Sequence, residues 1–331
     1  MSKNPYYQGP VSDHFDGTYF FNPNGTPPGS FKDLLKWRFR DKTDKAWPDE
    51  HKSPFEPAKP DVALAQDAMR LTMVGHATFL IQTGGLNILT DPVWSFRTSP
   101  FSFIGPKRRN VPGIAMEDLP KIDVILLTHN HYDHLDLATL KQLQQKFDPL
   151  VITPLGNDKI VHKAIPSMKI QTGDWGDIAE FASVKFHFEP CQHWSARGMN
   201  DRRMALWAAF VIEGLAGKLY HIGDTGFHDG INYRNANEKH GEFRASILPI
   251  GAYEPRWFMQ HQHQNPSEAV KGFKLSNTKY AAGHHFGTFK LTNEAIHEPV
   301  EHLSRALEEE AIEPHRFRPM RPGEVWDIPK S

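Results

Sequence analysis

The sequence predicts an α/β domain built from layers of strands and helices. Residues 122–128 (IDVILLT) form a continuous apolar run, which is typical of a strand buried on both faces. Apolar side chains then recur at the spacing of a helix, at Leu137, Leu140, Leu143 and Phe147. Strand patterns dominate the first half of the chain and helical patterns are interspersed among them, which favours layered sheets and helices.

The first 60 residues differ in composition from the rest of the chain. They hold 9 of the 26 prolines and the segment 22–29 (NPNGTPPG), which excludes regular helix or strand there. We therefore predict that residues 1–60 form an extended arm packed on the core and that residues 61–331 form the main domain. Residues 31–40 have the pattern of a short basic helix. Docking of its Phe and Leu side chains on the core is favoured over membrane contact.

The remaining elements follow in chain order. Strands are predicted at 69–75, 78–83, 87–90, 150–153, 184–188, 208–212, 218–222 and 246–249, and helices at 266–275 and 293–310. Residues 92–113 are irregular and rich in Ser, Pro, Phe and basic residues, and long loops in compact domains are often functional. We interpret Glu294, Glu298 and Glu301 as the solvated face of the last helix.

Composition limits the classes of function. With a formal net charge of -1, the chain has no basic excess that would indicate a nucleic-acid partner. No apolar run approaches the roughly 18 residues of a membrane span, and the first residues lack the apolar stretch of a secretory signal. The single cysteine, Cys191, cannot form an internal disulfide, so a reducing compartment is the simplest setting. We expect a cytoplasmic protein, with peripheral contact at the inner face of the membrane as an alternative. A homodimer is also considered.

The 19 histidines include a cluster with the spacing of metal ligands. His129, His131, Asp133 and His134 directly follow the buried strand and precede the helix. Positions 129 and 131 can aim two imidazoles at one point, while 133 and 134 can serve a second point. Imidazole and carboxylate ligands together suit zinc and similar cations. A solvated polar turn is the alternative, but four such residues within six positions favour a metal site.

Three later residues follow other predicted strands. Asp224 lies in a Gly-Asp-Thr-Gly turn, where the glycines allow close backbone approach and a carboxylate could bridge two cations. Gly-Asp turns are common, so this motif alone is weak. His193 follows another predicted strand, although a lone histidine is more often structural. His285 follows a strand of small residues, with His284 as the competing choice.

Together these residues resemble the metal-binding pattern of the metallo-β-lactamase superfamily, in which His-x-His-x-Asp-His precedes a His, an Asp and a final His. The resemblance is closer to its branch of N-acyl-phosphatidylethanolamine-hydrolysing phospholipases D. The segments that carry it are 75–78, 89–92, 105–108, 129–135, 192–194, 223–226, 250–259 and 285–289. The run 250–259 (IGAYEPRWFM) is more specific than the metal motif, and it separates this branch from lactamases and glyoxalases.

The resemblance implies a four-layer αββα sandwich with two cations at one sheet edge. Carried over residue by residue, it assigns His129, His131 and His193 to the first cation, Asp133, His134 and His285 to the second, and Asp224 as the bridge. The ligand types favour two zinc ions, with iron or manganese as alternatives. The chain departs from the family pattern at Phe286, where animal members have Trp, and His284 offers a second candidate for the last ligand.

The activity implied is hydrolysis of N-acyl-phosphatidylethanolamine or related lipids to N-acylethanolamine and phosphatidic acid. A hydroxide held between the cations would attack phosphorus in line with the leaving alkoxide, with Asp133 and Asp224 as catalytic ligands. Asp91, in a turn after a strand, is a candidate to orient a ligating imidazole, with turn capping as the alternative.

Three residues are candidates to contact the substrate. His263 matches a histidine that lies near the substrate in the family, with a solvated polar loop as the alternative. Tyr253 and Arg256 are candidates to contact a phosphate or acyl group, although Arg256 could equally form an ion pair with Glu254 nearby.

The loop at 92–113 suggests a lipid partner. Phe101, Phe103 and Ile104 precede the basic run 107–109, a combination that suits docking on an anionic lipid surface. Covering the edge of the active site is the alternative role for these side chains. A lactonase or sugar-phosphate hydrolase is the second functional hypothesis, because fold and metals do not fix the substrate. A nucleic-acid processing enzyme is a third hypothesis, which the near-neutral charge disfavours.

Overall fold

The structure is a computed structural model that describes residues 4–41, 43, 45 and 47–330 of the chain. Its strands are β1 (Met69–Gly75), β2 (Thr78–Thr83), β3 (Leu86–Thr90), β4 (Val124–Leu126), β5 (Leu150–Pro154), β6 (Lys169–Gly173), β7 (Ile178–Phe181), β8 (Val184–Glu189), β9 (Ala209–Gly214), β10 (Gly217–His221), β11 (Phe243–Pro249), β12 (Thr278–His284), β13 (Phe317–Pro319) and β14 (Val325–Asp327). Its α-helices are α1 (Phe31–Lys36), α2 (Leu137–Phe147), α3 (Asn157–Ala164), α4 (Ile231–His240), α5 (Arg256–Met259), α6 (Pro266–Leu275) and α7 (Glu298–Glu309).

The strands form two mixed sheets of seven strands each. The first has the order β14-β1-β2-β3-β4-β5-β6 and the second the order β13-β12-β11-β10-β9-β8-β7. Strands β3 to β6 run parallel in the first sheet, and β10 to β13 run parallel in the second. Because parallel strands end at the same edge of a sheet, the loops that follow them lie close together and can share a site.

The apolar run at 122–128 shows how the layers form. Val124 and Leu126 lie in the cluster between the two sheets, whereas Ile125 and Leu127 lie in the cluster beneath α2 and α3. Successive side chains of a strand point to opposite faces, so a strand covered on both sides must be apolar at every position. A third cluster joins α4, α6 and α7 to the outer face of the second sheet. The order helix, sheet, sheet, helix confirms the αββα sandwich.

Several elements lack a signal in the sequence. Strands β6 and β7 have mostly exposed or half-buried positions, and β13 and β14 have three residues each, so none of them forms an apolar run. Helix α4 (INYRNANEKH) has few apolar residues to show a helical period.

None of the helices in the described part of the chain has the length and apolar character of a membrane span.

The interpretation of Glu294 as part of a solvated helix face is wrong. The last helix begins at Glu298, and Glu294 precedes it with 3% of its surface exposed. Its carboxylate accepts hydrogen bonds from the backbone N–H of Ala252 at 2.5 Å and from the hydroxyl of Thr292 at 2.8 Å. Burial raises the pKa of Glu294, although these hydrogen bonds oppose the shift. Glu294 therefore anchors the 252–254 turn.

The first part of the arm packs on the second sheet. Phe15 and Phe20 are 1% and 0% exposed and belong to the cluster on the outer face of that sheet. The side-chain amide of Asn4 donates a hydrogen bond to the carbonyl of Met204 at 2.8 Å, and the backbone N–H of Phe20 donates to the carbonyl of Arg203 at 2.7 Å. These contacts attach the described residues 4–21 to the main domain.

The short helix of the arm differs from its prediction. A capping box between Ser30 and Asp33 begins α1, which ends at Lys36 and continues as a π-helical turn at Trp37–Asp41. Leu34 and Leu35 are each 40% exposed, so the predicted docking of the leucines on the core is incomplete.

His14 attaches the arm to the turn after β6 and provides a pH-dependent test. Its Nδ1 lies 2.6 Å from Asp13 Oδ1 and its Nε2 lies 2.7 Å from Asp174 Oδ1, while its ring stacks on Trp175 with centroids 4.5 Å apart. Burial alone would lower the pKa of His14, but hydrogen bonds to Asp174 and Asp13 raise it above its usual value. The interaction therefore stabilises the fold fully below the unfolded-state pKa of about 6.5, and this contribution is lost as pH rises through the raised folded-state pKa.

We predict that His14→Phe, which keeps an aromatic ring on Trp175, lowers the free energy of unfolding by about 1 kcal/mol at pH 6. Urea denaturation at pH 6 and pH 9 should show a smaller difference from the wild type at pH 9. Asp13→Asn is the control, since Asp13 is 85% exposed and should contribute less. An equal loss at both pH values would show that the charge on His14 makes no pH-dependent contribution.

Candidate metal centre

The seven predicted metal ligands lie at the carboxyl ends of four strands. His129, His131, Asp133 and His134 follow β4, His193 follows β8, Asp224 follows β10 and His285 follows β12. Strands β8, β10 and β12 all point the same way, because β8 and β10 both run antiparallel to β9 and β10 to β12 are parallel. Their carboxyl ends therefore meet at one edge of the second sheet.

Three imidazoles converge at one side of the centre. His129 Nε2 lies 2.8 Å from His131 Nδ1, and His193 Nε2 lies 3.2 Å from the same atom. His129 and His193 are buried and His131 is half-buried, and removal from water is the first cause that lowers the pKa of His131 to about 3 and that of His193 to about 4. Unprotonated imidazoles offer lone pairs, which is the form that metal binding requires.

A second group lies around two carboxylates. Asp224 Oδ2 is 3.2 Å from His134 Nε2 and 3.1 Å from His285 Nε2, and Asp133 Oδ2 is 3.3 Å from His285 Nε2. Asp224 Oδ2 also lies 3.8 Å from His193 Nε2, so one carboxylate reaches both groups. The structure thus brings together all seven residues that the sequence singled out.

The charges of the second group favour a cation. Burial alone would lower the pKa of His134 and His285, but Asp224 and Asp133 raise it well above normal for His134 and to about 9 for His285. The buried carboxylate of Asp224 and the half-buried carboxylate of Asp133 thus favour positive charge on their neighbours. A divalent cation meets the same electrostatic need, and its binding displaces protons from such ligands.

The residues behind the cluster fix which nitrogen faces it. Asp91, fully buried, accepts hydrogen bonds from His134 Nδ1 and from the backbone N–H and hydroxyl of Thr128, each at 2.8 Å. The Thr128 hydroxyl is therefore committed as a donor and accepts from His129 Nδ1 at 2.9 Å. His193 Nδ1 donates to the carbonyl of Gln262 at 3.0 Å. In each case the Nε2 atom is left for the centre, which is the arrangement typical of metal-bound histidine.

The donor set therefore fits a metal. Within the described residues, the groups of His and Asp side chains whose ligand atoms lie within 4.8 Å of one another include His129-His131-His193, His129-His134-Asp224 and His76-Asp133-His134-His285. Buried atoms without a hydrogen-bond partner include His134 Nε2, His285 Nε2 and Asp224 Oδ1. Buried polar atoms are rarely left unpaired, so this concentration at one point indicates a ligand site.

Comparisons with known proteins agree with this arrangement. A family model described as the beta-lactamase superfamily domain matches residues 86–286. The N-acyl-phosphatidylethanolamine-hydrolyzing phospholipase D 1 of Caenorhabditis elegans is 36% identical over 275 residues, which cover 80% of this chain and 77% of that protein. The mitochondrial N-acyl-phosphatidylethanolamine-hydrolyzing phospholipase D of Saccharomyces cerevisiae is 33% identical over 242 residues, covering 72% of this chain and 51% of the yeast protein.

The chain belongs to the metallo-β-lactamase superfamily. The solved structure of the metallo-beta-lactamase fold protein YhfI from Bacillus subtilis superposes on it with a TM-score of 0.53. That match covers 79% of this chain and 100% of the other at 16% identity, and it supports the fold. The resemblance to the N-acyl-phosphatidylethanolamine-hydrolysing branch is confirmed, and the protein is a metal-dependent hydrolase of the metallo-β-lactamase fold.

An apolar cavity of about 460 Å³ opens onto the cluster of predicted metal ligands. Its polar end includes His131, Asp133, Asp224, His263 and His285. Its apolar walls include Leu34 and Trp37 from the arm together with Trp194, Phe258, Met259 and Leu291. The arm thus contributes to the same cavity as the metal-ligand cluster.

The predicted substrate contacts do not all reach this cavity. His263 lines it, with its Nδ1 3.9 Å from Asp224 Oδ2. Tyr253 and Arg256 lie outside the cavity lining, and their contact with a substrate stays a prediction. Arg256 forms its ion pair with Glu268, at 2.8 and 2.9 Å, rather than with Glu254, and it also donates to the carbonyl of His263 at 2.9 Å.

Two further predictions concern neighbouring histidines and the long loop. His284 is fully buried beside His221, with ring centroids 5.7 Å apart, and it is in none of the ligand groups found among the described residues, whereas His285 lies against the carboxylates. Phe101, Phe103 and Ile104 are 55%, 78% and 58% exposed and do not line the cavity. Membrane contact through this loop stays a prediction.

The sequence reasoning did not assign a role to His76. Its Nε2 lies 2.8 Å from Asp133 Oδ2, and it belongs to one of the groups that surround the centre. The available signal was its position between two strands in Gly75-His76-Ala77, which is the pattern of a tight turn and does not by itself indicate chemistry.

We predict that Asp91→Asn weakens metal binding by about 10- to 100-fold, because an amide accepts hydrogen bonds from His134 and Thr128 less well than a carboxylate. Asn tolerates the positive φ of 36° at this position, so the backbone should be undisturbed. Metal content after dialysis against a graded chelator series measures the change.

The matched control is Asp136→Asn. Asp136 is 8% exposed and also accepts backbone and hydroxyl hydrogen bonds, but its partners are Ser95, Ala138 and Thr139 rather than a histidine of the cluster. This variant should lose stability and keep its metal affinity. Equal metal affinity in the wild type and Asp91→Asn would contradict the role of Asp91.

Proposed function

We propose that the protein is a two-cation phosphodiesterase of the phospholipase D type. It hydrolyses N-acyl-phosphatidylethanolamine or related lipids to N-acylethanolamine and phosphatidic acid. The single observation that carries this proposal is the apolar cavity that ends at a buried cluster of imidazoles and carboxylates. A lipid needs an apolar wall beside the reacting group, whereas a small polar substrate does not. The names of the nematode and yeast relatives support the same substrate class.

The seven ligands divide into two sets in this proposal. His129, His131 and His193 would hold one cation, Asp133, His134 and His285 would hold the second, and Asp224 would serve both. Zinc suits this mixture of imidazole and carboxylate, and iron or manganese suits it as well. When bound, such a pair lowers the pKa of water towards 7 and neutralises negative charge on a phosphoryl group.

The side chains at the polar end of the cavity supply the remaining steps. Asp133, whose side chain is 14% exposed, lines the cavity and is placed to accept a hydrogen bond from the attacking hydroxide and so orient it towards phosphorus. His263 lies beside it in the cavity lining, and burial keeps its pKa well below the usual value, so the ring is neutral. Its Nδ1 is buried without a partner and is available to hydrogen-bond a phosphoryl oxygen. The carbonyl of His263 is held by Arg256, which gives that arginine a positioning role.

The apolar walls hold the acyl chain and exclude water. Trp37 and Phe258 stack with ring centroids 5.5 Å apart, and the Trp37 indole N–H donates to Asn293 Oδ1 at 3.0 Å. This bond fixes the orientation of the ring at the cavity wall. Apolar contact of this kind contributes roughly 0.8 kcal/mol for each CH₂ group that it removes from water.

The first experiment combines metal analysis with turnover of N-acyl-phosphatidylethanolamine in vesicles. We expect two cations per chain and release of phosphatidic acid, with much slower turnover of phosphatidylcholine. In H₂¹⁸O the label should appear in phosphatidic acid, because water attacks phosphorus. Asp224→Asn and His134→Ala should lose metal and reduce turnover by more than about 100-fold, since each removes a ligand.

Glu117→Gln, a change at an exposed carboxylate, is the control and should behave as the wild type. Full activity of Asp224→Asn in chelator-treated buffer would overturn the mechanism. Turnover restricted to lactones or sugar phosphates, unaffected by vesicles, would favour the other hydrolase hypothesis over a lipid substrate.

The second prediction concerns acyl-chain selection. Trp37→Ala should raise the KM for a long-chain N-acyl substrate by about tenfold, which corresponds to roughly 1.4 kcal/mol of lost apolar contact, and should change kcat little. A short-chain substrate should show a much smaller change. Phe39→Ala is the matched control, because Phe39 belongs to the same segment but is 82% exposed and does not line the cavity. Equal effects of the two changes on KM would contradict an acyl-binding wall at Trp37.

A further inference from the structure

His76 connects three segments of the metal centre. Its Nε2 lies 2.8 Å from Asp133 Oδ2, in the run that follows β4. Its backbone N–H donates to the hydroxyl of Thr288, and its carbonyl accepts from the backbone N–H of His285, both at 3.0 Å. Its ring lies 4.0 Å from the ring of His285. The loop that carries one metal ligand therefore holds His76 against another.

The direction of the hydrogen bond to Asp133 follows from the chemistry of the two groups. An ionised carboxylate can only accept, so His76 Nε2 carries the proton and donates it. The other nitrogen, Nδ1, is buried without a partner, and the ring edge packs against Phe289 with centroids 5.2 Å apart. In this tautomer no lone pair of His76 points towards the cluster, so the residue acts as a donor to a ligand.

The position of His76 also excludes direct contact with a substrate. The residue is 1% exposed and does not line the cavity, whereas Asp133 does. An effect of His76 on the centre must therefore pass through Asp133 or through the backbone of the 285–288 loop.

We propose that His76 is a positioning residue that fixes the rotation of the Asp133 carboxylate and thereby determines the affinity of the second cation. This inference rests on the ligand assignment given under Proposed function. A terminal carboxylate rotates freely about its last side-chain bond unless a partner holds it. With Oδ2 held by His76, one lone pair of that oxygen remains directed at His134 and His285. Hydrogen-bond partners of metal ligands typically change metal affinity by about 10- to 100-fold.

The test compares His76→Gln with His76→Leu. Gln places an amide N–H near the position of the imidazole Nε2, whereas Leu fills similar space without a donor. Neither is β-branched, and both experience the same positive φ of 57°, so backbone strain is shared and the donor is the main difference. Zn²⁺ titration against a competing chelator resolves the two affinities of each full-length variant.

We expect His76→Leu to weaken the second affinity by about 10- to 100-fold and to leave the first within about twofold. His76→Gln should recover most of the loss. In the Co²⁺-substituted protein, the absorption of the second site should change in His76→Leu and return in His76→Gln. His284→Leu removes another buried imidazole from the same region without touching Asp133, and it should leave both affinities unchanged.

A double-mutant cycle separates positioning from direct ligation. In the Asp133→Asn protein, adding His76→Leu should cost less than about twofold in the second affinity, because the carboxylate that His76 orients is gone. A tenfold further loss in that background would show that His76 acts on the second cation other than through Asp133, by direct ligation or through the 285–288 loop, and would overturn the proposal. Equal affinities for the wild type and His76→Leu would also overturn it, provided the wild type binds two cations. A wild type that binds fewer than two would instead refute the ligand assignment.

Discussion

The centre depends on two carboxylates at the ends of the sheets, Asp224, which is buried, and Asp133, which is largely removed from water. An ionised carboxylate is costly to bury unless positive charge and hydrogen bonds surround it. Here the surroundings are imidazoles, several of which are fixed at the far nitrogen by an acceptor such as Asp91 or the carbonyl of Gln262. The strands β4, β8, β10 and β12 end at this point, so the side chains that follow them meet there. The architecture of the sandwich thus supplies the partners that the carboxylates need.

How much the sequence predicts depends on how local each signal is. The run 129–134 is recognisable because four chemical groups fall within six positions after a buried strand. His193 and His285 have no local signal of this kind, and they were assigned through the resemblance to a family. For Asp91 the sequence allowed two roles, orienting a ligating imidazole or capping a turn. The structure shows that Asp91 accepts a hydrogen bond from His134. His76 was missed because one histidine in a turn has no pattern, and its contact with Asp133 spans 57 residues.

The wrong predictions share a physical cause. Glu294 fits a helical period with Glu298 and Glu301, but it lies before the helix, and its carboxylate binds the backbone of the 252–254 turn. Arg256 has Glu254 two positions away, yet it pairs with Glu268 on α6. In both cases tertiary contacts decided the partner of a charged side chain. The spacing of apolar residues predicts which face of a helix or strand is buried. It does not predict the partner of a charged side chain, which can lie on a distant element.

The arm supplies part of the apolar wall of the cavity. Metal ligands of this kind serve hydrolases with different substrates, so the ligand set alone does not select a lipid. The apolar walls that could select one come from separate places in the chain, Trp37 of the arm and Phe258 of the short helix α5, which contact each other. The arm is attached independently, through Phe15 and Phe20 in the core and His14 at the turn after β6. Since neither wall residue is a ligand, the substrate preference of this fold can change with the arm while the metal centre stays the same.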